Sequence, residues 1–303
     1  MKPAWPLRPS ASTAATAAPR HSGFTLLELL VVFIVIVAFL YLYLPAIRRP
    51  RPNHPARCLY NLKQMNLAWL MYSGDSGDRL VTNLPYASSS PLPTNNWMTG
   101  VMGWTANSQT TNRDLLVAGR LGPYLKNPEV YRCPDDKSES AAGPRVRSYA
   151  MNGFMGNGGS ESAFTGWKQC LKTADVLRPA YLFVFADEHA NSIDDGFFIN
   201  NPNQTNAWTD LPASNHGLGA AGFGFADGHA EIHRWVDPST LQPTKKSGPK
   251  PKVQLDHRGA DLAWILSATA AEVLPSVPAA EATPPGFRTP SGGGGASTNE
   301  PSR

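Results

Sequence analysis

The chain has 303 residues, a formal net charge of +4 and a low share of charged residues, 17%, beside 28 prolines and 26 glycines. This length is enough for one medium-sized domain with appended segments. The composition is typical of a loop-rich extracytoplasmic protein with low-complexity ends. The first 23 residues contain Lys2, Arg8 and Arg20 and no acid, so the rest of the chain is close to neutral. The charge therefore does not predict nucleic acid as a partner.

The N-terminal part predicts a targeting segment followed by a membrane-spanning helix. Residues 1–23 combine scattered positive charge with Ala, Ser, Thr and Pro, which indicates a leader. Residues 24–47 are apolar apart from one formal charge, Glu28. A helix of that length crosses the ~30 Å hydrocarbon core of a bilayer, and Pro45 is expected to end or kink it. A lone carboxylate there calls for a positive partner, which a free amino group would supply after cleavage behind Gly23.

The sequence GFTLLELLVV at positions 23–32 resembles the processing site of type IV prepilins and type II secretion pseudopilins. The resemblance implies that a prepilin peptidase cuts after Gly23 and methylates the new N-terminal Phe24. It also implies that Glu28 contacts the N-terminus of a neighbouring subunit in a filament. An ordinary signal anchor is the alternative. Basic residues flank the helix on both sides, so the resemblance, and not the charge, places a single-pass chain in inner-membrane lipid with its head outside.

Residues 48–237 are predicted to form the globular head. Apolar side chains recur at spacings of two to four over residues 57–72, which predicts the second half of a long helix, interrupted by the prolines of 50–55 and packed on a sheet. The segments FVFADEHA at 183–190 and FGFADGHA at 223–230 nearly repeat, and each predicts a strand that runs into a turn.

A hairpin with the two-residue loop Asp227-Gly228 follows from the second of these segments, because both loop positions require positive φ. The predicted pairing puts four apolar side chains on one face of the sheet: Phe223, Phe225, Ala230 and Ile232. It puts four others on the opposite face: His229, Glu231, His233 and Trp235.

The C-terminal part, residues 238–303, is predicted to contain a linker, a short helix with Asp261 as its N-cap, and a disordered tail from Pro275. The tail composition of Pro, Ala, Gly and Ser with four consecutive glycines supports that prediction.

A second resemblance covers most of the chain, from about residue 22 to 265. The segment from His216 to Asp227-Gly228 is similar to the H-X9-DG signature near the C-terminus of a large class of pseudopilin-like proteins, although ten residues lie between His216 and Asp227 here. Four other segments also resemble that class: CLYNLKQ at 58–64, YRCPDD at 131–136, RSYAMNG at 147–153 and DEH at 187–189. The resemblance implies an α+β fold, a pilin-like α/β roll with a long N-terminal helix against an antiparallel sheet, and no established enzymatic activity.

The three cysteines, Cys58, Cys133 and Cys170, cannot all pair within one chain. A disulfide between Cys58 and Cys133 is the expected pairing, because both lie in segments that resemble the same secretion-associated class. Three reduced thiols are the alternative.

Acidic and histidine side chains concentrate between residues 187 and 233, which raises the question of a metal site. Asp187 and Asp227 end two similar strands and would meet if those strands were neighbours, and their carboxylates would suit calcium. Zinc is a second alternative. Turn-forming Asp with hydrogen-bonded His is the preferred interpretation, so the sequence predicts no cofactor. A hydrolase that uses Asp187 and His229 is a further alternative, but the sequence predicts no enzyme.

The sequence therefore predicts a structural pseudopilin for a type II secretion or type IV pilus-like filament, with the prepilin peptidase and other pseudopilin subunits as partners. A membrane-anchored extracytoplasmic binding protein that does not polymerise is the alternative.

The processing site gives a direct test. Mass analysis of the mature protein from membranes is expected to find a chain that begins with methylated Phe24. An intact Met1, or a cut elsewhere, would contradict the prepilin interpretation.

Overall fold

The computed structural model describes residues 23–47, 53–85, 95–156, 164, 166–246, 253, 255 and 259–270. The predicted leader up to Ser22, the basic segment 48–52 and all residues after 270, including the predicted disordered tail from Pro275, lie outside these residues. The chain divides into two units, residues 1–52 and residues 53–303.

The described residues of the first unit contain one helix, α1, which runs from Leu26 to Ile47. Its side chains from Leu26 to Tyr43 are all exposed, and this stretch is long and apolar enough to span a membrane. Pro45 was expected to end or kink this helix; it does not end it, because α1 continues for two more residues.

The second unit contains the remaining helices and strands of the described chain. The α-helices are α2 (His54–Asp75), α3 (Asp114–Val117), α4 (Gly122–Leu125) and α5 (Ala260–Thr269). Four short 3-10 helices are Ser108–Thr111, Pro128–Tyr131, Thr173–Asp175 and Pro238–Thr240. The strands are β1 (Glu139–Ser140), β2 (Gly143–Pro144), β3 (Tyr149–Asn152), β4 (Phe183–Asp187), β5 (Phe197–Phe198), β6 (Ala220–Phe225) and β7 (Ala230–Arg234).

Five of these strands form one mixed sheet in the order β5-β3-β4-β6-β7. Neighbouring strands are antiparallel except β3 and β5, which are parallel. Strands β1 and β2 form a separate two-stranded hairpin. The α+β class and the largely antiparallel sheet agree with the sequence prediction.

Helix α2 covers one face of the sheet. The Asn53 side chain caps its first turn by accepting the Ala56 N–H, and a proline in that turn fixes φ where no helical hydrogen bond is needed. The buried side of α2 includes Leu62, Met65 and Trp69, which pack in one core cluster with residues of β3 and β4. The predicted helix over 57–72 is therefore present, longer by three residues at each end.

Helix α5 lies against the other face of the sheet. Leu262, Ile265 and Leu266 pack in a second core cluster with Phe223 and other aromatic side chains. The sequence predicts Asp261 as the N-cap of this helix. In the structure Gly259 occupies that position. The buried Asp261 carboxylate instead accepts the Val236 and Asp237 N–H groups at 3.0 and 2.9 Å, which ties α5 to the chain after β7.

The β6–β7 hairpin exists as predicted, but its register differs by one residue. The Phe225 N–H donates to the His229 carbonyl, and the loop therefore has three residues, Ala226 to Gly228. Gly228 has φ of +96°, the positive value that such a loop requires. A one-residue slip moves every side chain of β7 to the other face of the sheet.

The observed pairing corrects the predicted faces. Phe223 is opposite Glu231, and Gly222 is opposite Ile232. The face under α5 holds Phe223, Phe225, His229, His233 and Trp235, whose rings contact one another or Trp264. The face under α2 holds Gly222, Gly224, Ala230 and Ile232.

A β-bulge interrupts the pairing of β4 with β6 between Phe183 and Phe185. Phe183 belongs to the cluster under α5, whereas Val184 and Phe185 both belong to the cluster under α2. The bulge thus resets the alternation of β4, and Asp187, two residues after Phe185, faces the α2 side.

The close approach of α2 to β6 can be tested at Gly222. A methyl group there would lie 2.7 Å from Leu62 Cδ1 and 2.8 Å from Cys58 Sγ. We expect Gly222→Ala to lower the free energy of unfolding by about 1–3 kcal/mol through overpacking. The measurement is chemical denaturation of the full chain in detergent.

Gly74→Ala is the matched control, because an added methyl group near the end of α2 meets nothing within 4 Å. Alanine is the better helix former, so this variant should not lose stability. Equal effects of the two substitutions would contradict the tight packing of α2 on β6.

Candidate functional site

Four side chains with metal-binding atoms meet between α2 and the sheet: Cys58, Cys133, Asp187 and His216. We call them the buried cluster. Their ligand atoms all lie within 4.8 Å of one another, and the exposed fraction of each residue is 2% or less. Four separate parts of the chain supply them, so the cluster exists only in the folded protein.

Local structure explains how each member reaches the cluster. Cys58 lies in the second turn of α2, where Gly222 allows the helix to approach β6. Cys133 follows a 3-10 helix, and its N–H donates to Ser148 Oγ at 2.6 Å. Asp187 ends β4 on the side that the bulge selects. His216 lies in the loop before β6, where its N–H donates to the Ala220 carbonyl.

The distances within the buried cluster are those of direct contacts. Cys133 Sγ lies 3.3 Å from His216 Nε2, and Asp187 Oδ2 lies 3.6 Å from the same nitrogen. The Tyr149 hydroxyl donates to Cys58 Sγ at 3.2 Å. Tyr149 is opposite Asp187 in the β3–β4 pairing, so both side chains point to the same face.

Asp187 is the unusual member of the buried cluster. It is fully buried, and neither of its carboxylate oxygens has a hydrogen-bond partner among the described residues. Buried carboxylates are normally hydrogen-bonded or paired with a cation, because removal from water disfavours the charged form.

A second carboxylate holds His216 from the other side. Asp135 Oδ2 accepts from His216 Nδ1 at 2.6 Å, and Asp135 Oδ1 accepts from His54 Nδ1 at 2.6 Å. Asp135 thus bridges the first turn of α2 to the loop before β6. Its bond to Nδ1 leaves His216 Nε2 directed at the buried cluster.

Burial and charge shift the pKa values of these groups. Burial raises the pKa of Asp187 well above its usual range, and the nearby Cys133 adds to that rise. Burial also raises the pKa of the Cys133 thiol. Burial alone would lower the pKa of His216, but Cys133, Asp187 and Asp135 outweigh it and raise the value to about 9.

The second predicted metal-site residue, Asp227, does not belong to the buried cluster. Strands β4 and β6 are neighbours, as a shared site required, but they are antiparallel, with Phe183 opposite Phe225 and Ala186 opposite Phe223. Asp187 and Asp227 therefore lie at opposite ends of the strand pair, and they cannot share a calcium ion.

The hydrolase alternative meets the same obstacle. His229 lies with Asp227 in the β6–β7 hairpin. That hairpin is at the end of the β4–β6 strand pair opposite to the end that holds Asp187. Its Nδ1 donates to Asp227 Oδ1 at 2.6 Å, and its ring stacks on Phe225. This exposed pair therefore does not supply a base for Asp187.

The H-X9-DG-like residues are divided between the two ends of β6. His216 belongs to the buried cluster, whereas Asp227 and Gly228 form the hairpin loop after the strand. In that loop the Asp227 carboxylate accepts the His229 N–H at 3.1 Å, and this bond contributes to lowering its pKa although burial opposes it.

The cysteines are free thiols, and all three are buried. Cys58 and Cys133 are neighbours in the buried cluster, so their predicted disulfide stays a prediction. Cys170 lies elsewhere, with its thiol 3.6 Å from the Asp175 carbonyl.

The predicted processing and assembly residues lie at the start of the described chain. Gly23 and Phe24 precede α1, and Glu28 is in its first turn. Glu28 Oε2 accepts from the Thr25 N–H and from Thr25 Oγ, both at 2.9 Å.

Sequence reasoning missed the buried cluster as a unit, and it missed Asp135 and Tyr149 altogether. A usable signal was present, because all four cluster residues lie in segments that carried the resemblance to pseudopilin-like proteins.

Comparisons of the chain with protein families, with curated proteins and with solved structures found no match.

The Asp135 bridge leads to a stability prediction. Asp135→Asn removes the charge that two imidazoles share, one of them buried. We expect a loss of about 1–3 kcal/mol in the free energy of unfolding, the usual effect of leaving a buried polar group poorly satisfied. Denaturant unfolding of the full chain in detergent measures it.

Asp114→Asn provides the comparison, because Asp114 is exposed in the first turn of α3. Exposed substitutions usually change stability by less than about 0.5 kcal/mol. If Asp135→Asn lowered the free energy of unfolding no more than this control, the Asp135 bridge would not stabilise the fold.

Proposed function

We propose that the chain is a structural pseudopilin subunit of a type II secretion or type IV pilus-like filament. In this proposal α1 anchors the chain in the inner membrane, a prepilin peptidase cuts after Gly23, and the head lies outside the membrane. The supporting observation is α1 itself, an apolar helix with exposed side chains and a single charged residue, Glu28, in its first turn.

The exposure of α1 supports a membrane and assembly role. A soluble protein rarely exposes a continuous apolar surface of this size, so lipid or neighbouring helices are expected to cover it. Lipid supplies no hydrophobic force between helices, and association there relies on packing and on polar contacts. Glu28 is the charged group that α1 offers for such a contact.

The position of Glu28 supports its proposed partner. Its carboxylate accepts hydrogen bonds from Thr25, the residue after Phe24. This is the end of α1 at which cleavage would create a free amine. A neighbouring subunit's N-terminal amine would neutralise the carboxylate through a charge-assisted hydrogen bond. Each such bond would align one subunit with the next.

The head is consistent with a structural role. Helix α2 packs along the sheet, and the one described cluster of metal-binding side chains is buried where a substrate does not reach it. The proposal therefore assigns no reaction to the head.

Glu28→Ala tests the assembly role. We expect at least a roughly tenfold loss of protein in sheared filament fractions and cross-linked oligomers, since a charged hydrogen bond is worth about 1.5–3 kcal/mol. The amount in membranes and the cut before Phe24 should remain as in the unmodified chain. Glu139→Ala, an exposed acid in the head, is the control and should assemble normally.

Normal oligomers from Glu28→Ala would contradict the proposed role of this carboxylate. A chain that is membrane-anchored but gives no oligomers even when unmodified would favour the non-polymerising binding protein instead.

A further inference from the structure

We propose that the buried cluster of Cys58, Cys133, Asp187 and His216 is a zinc site that fastens α2 to the sheet. The inference goes beyond the proposed filament role and does not depend on it. Two thiol sulfurs, one imidazole nitrogen and one carboxylate are the ligand types that zinc takes in proteins, and four of them complete a tetrahedral site.

The spacing of the donor atoms fits such an ion. All four lie within 4.8 Å of one another, and His216 Nε2 lies 3.3 Å from Cys133 Sγ and 3.6 Å from Asp187 Oδ2. Ligand atoms around tetrahedral zinc are roughly 3.3–3.8 Å apart, given bonds of about 2.0–2.3 Å. Small side-chain adjustments would therefore be enough to close the site.

Asp187 provides an independent reason for a cation. Its carboxylate is fully buried, and neither oxygen has a hydrogen-bond partner in the described part of the chain. A divalent ion bound by the neighbouring sulfurs and imidazole would satisfy that carboxylate.

The surroundings have the form of an outer ligand shell. Zinc-bound histidines usually donate their other ring N–H to a carboxylate, which fixes the tautomer and the ring orientation. Asp135 accepts from His216 Nδ1 in this way, and Nε2 faces the cluster. The Tyr149 hydroxyl donates to Cys58 Sγ, a bond that would stabilise a thiolate ligand.

The ligand types select the metal and the role. Calcium takes six to eight oxygen ligands, so two sulfurs and a nitrogen exclude it here. Four protein ligands without an open position are characteristic of structural zinc, whereas catalytic zinc keeps one position for water. The near-complete burial of all four residues agrees with the structural role.

Zinc binding competes with the predicted disulfide. A bond between Cys58 and Cys133 would remove both sulfur ligands, so one chain can carry the zinc or the disulfide but not both. Because the two states exclude each other, the zinc content and the number of free thiols distinguish them in one preparation.

The experiment uses the full chain, purified in detergent without chelators. We expect close to one zinc per chain by elemental mass spectrometry, and both thiols free in the intact mass after denaturation. Cys58→Ser and His216→Ala should each lose most of the zinc. Cys170→Ser, the matched control at a thiol outside the cluster, should keep it.

Cobalt(II) provides a readout that needs no variant to fold. Replacement of zinc in the unmodified chain should give the intense visible bands of a tetrahedral site and a near-ultraviolet thiolate band. A weak octahedral spectrum would overturn the proposal. So would a Cys58–Cys133 disulfide without zinc, or zinc retained equally by Cys58→Ser and the control. Because α1 takes no part, the Glu28→Ala assembly result does not affect this test.

Discussion

Asp187 ends β4 with a fully buried carboxylate against two thiols and an imidazole, and the contact of α2 with the sheet is arranged around it. A β-bulge turns the side chain toward α2, and Gly222 lets the helix come close enough for Cys58 to meet it. Such a carboxylate destabilises the fold unless a cation or a proton neutralises it. The packing of α2, the loop before β6 and the segment after Tyr131 thus all depend on how this charge is satisfied.

The sheet is covered on both faces, and this explains where sequence reasoning succeeded and failed. The hairpin and the helix over 57–72 were predictable, because turn residues and apolar spacing are local signals. The register was not, since alternation sets a register only when one face is polar. Here α5 covers the aromatic side chains and α2 covers the glycines, so both faces of β6 are buried. The bulge in β4 was not predictable either, because an unbroken apolar run does not show where an extra residue interrupts the pairing.

The candidate site was predictable in its members but not in its assembly. Cys58, Cys133, Asp187 and His216 were each singled out, yet Asp187 was matched with Asp227 and the cysteines with each other. Antiparallel pairing separates the two aspartates, and only the tertiary contact of α2 with the sheet brings the cysteines to His216. Asp135 and Tyr149 act as supporting groups, and their roles follow from distances that no linear pattern contains. At the N-terminus the reverse holds, because Gly23, Phe24 and Glu28 form a local motif that can be read from the sequence, and its proposed roles in processing and assembly stay predictions.

The most direct measurement of how the Asp187 charge is satisfied is zinc K-edge X-ray absorption of the full chain in detergent. A site formed by the buried cluster should show two sulfur neighbours at about 2.3 Å and two nitrogen or oxygen neighbours at about 2.0 Å. A zinc shell of nitrogen and oxygen alone, or a preparation without zinc, would contradict the assignment. The carboxylate would then be neutralised by a proton, carried by Asp187 itself or by the imidazole of His216 at 3.6 Å.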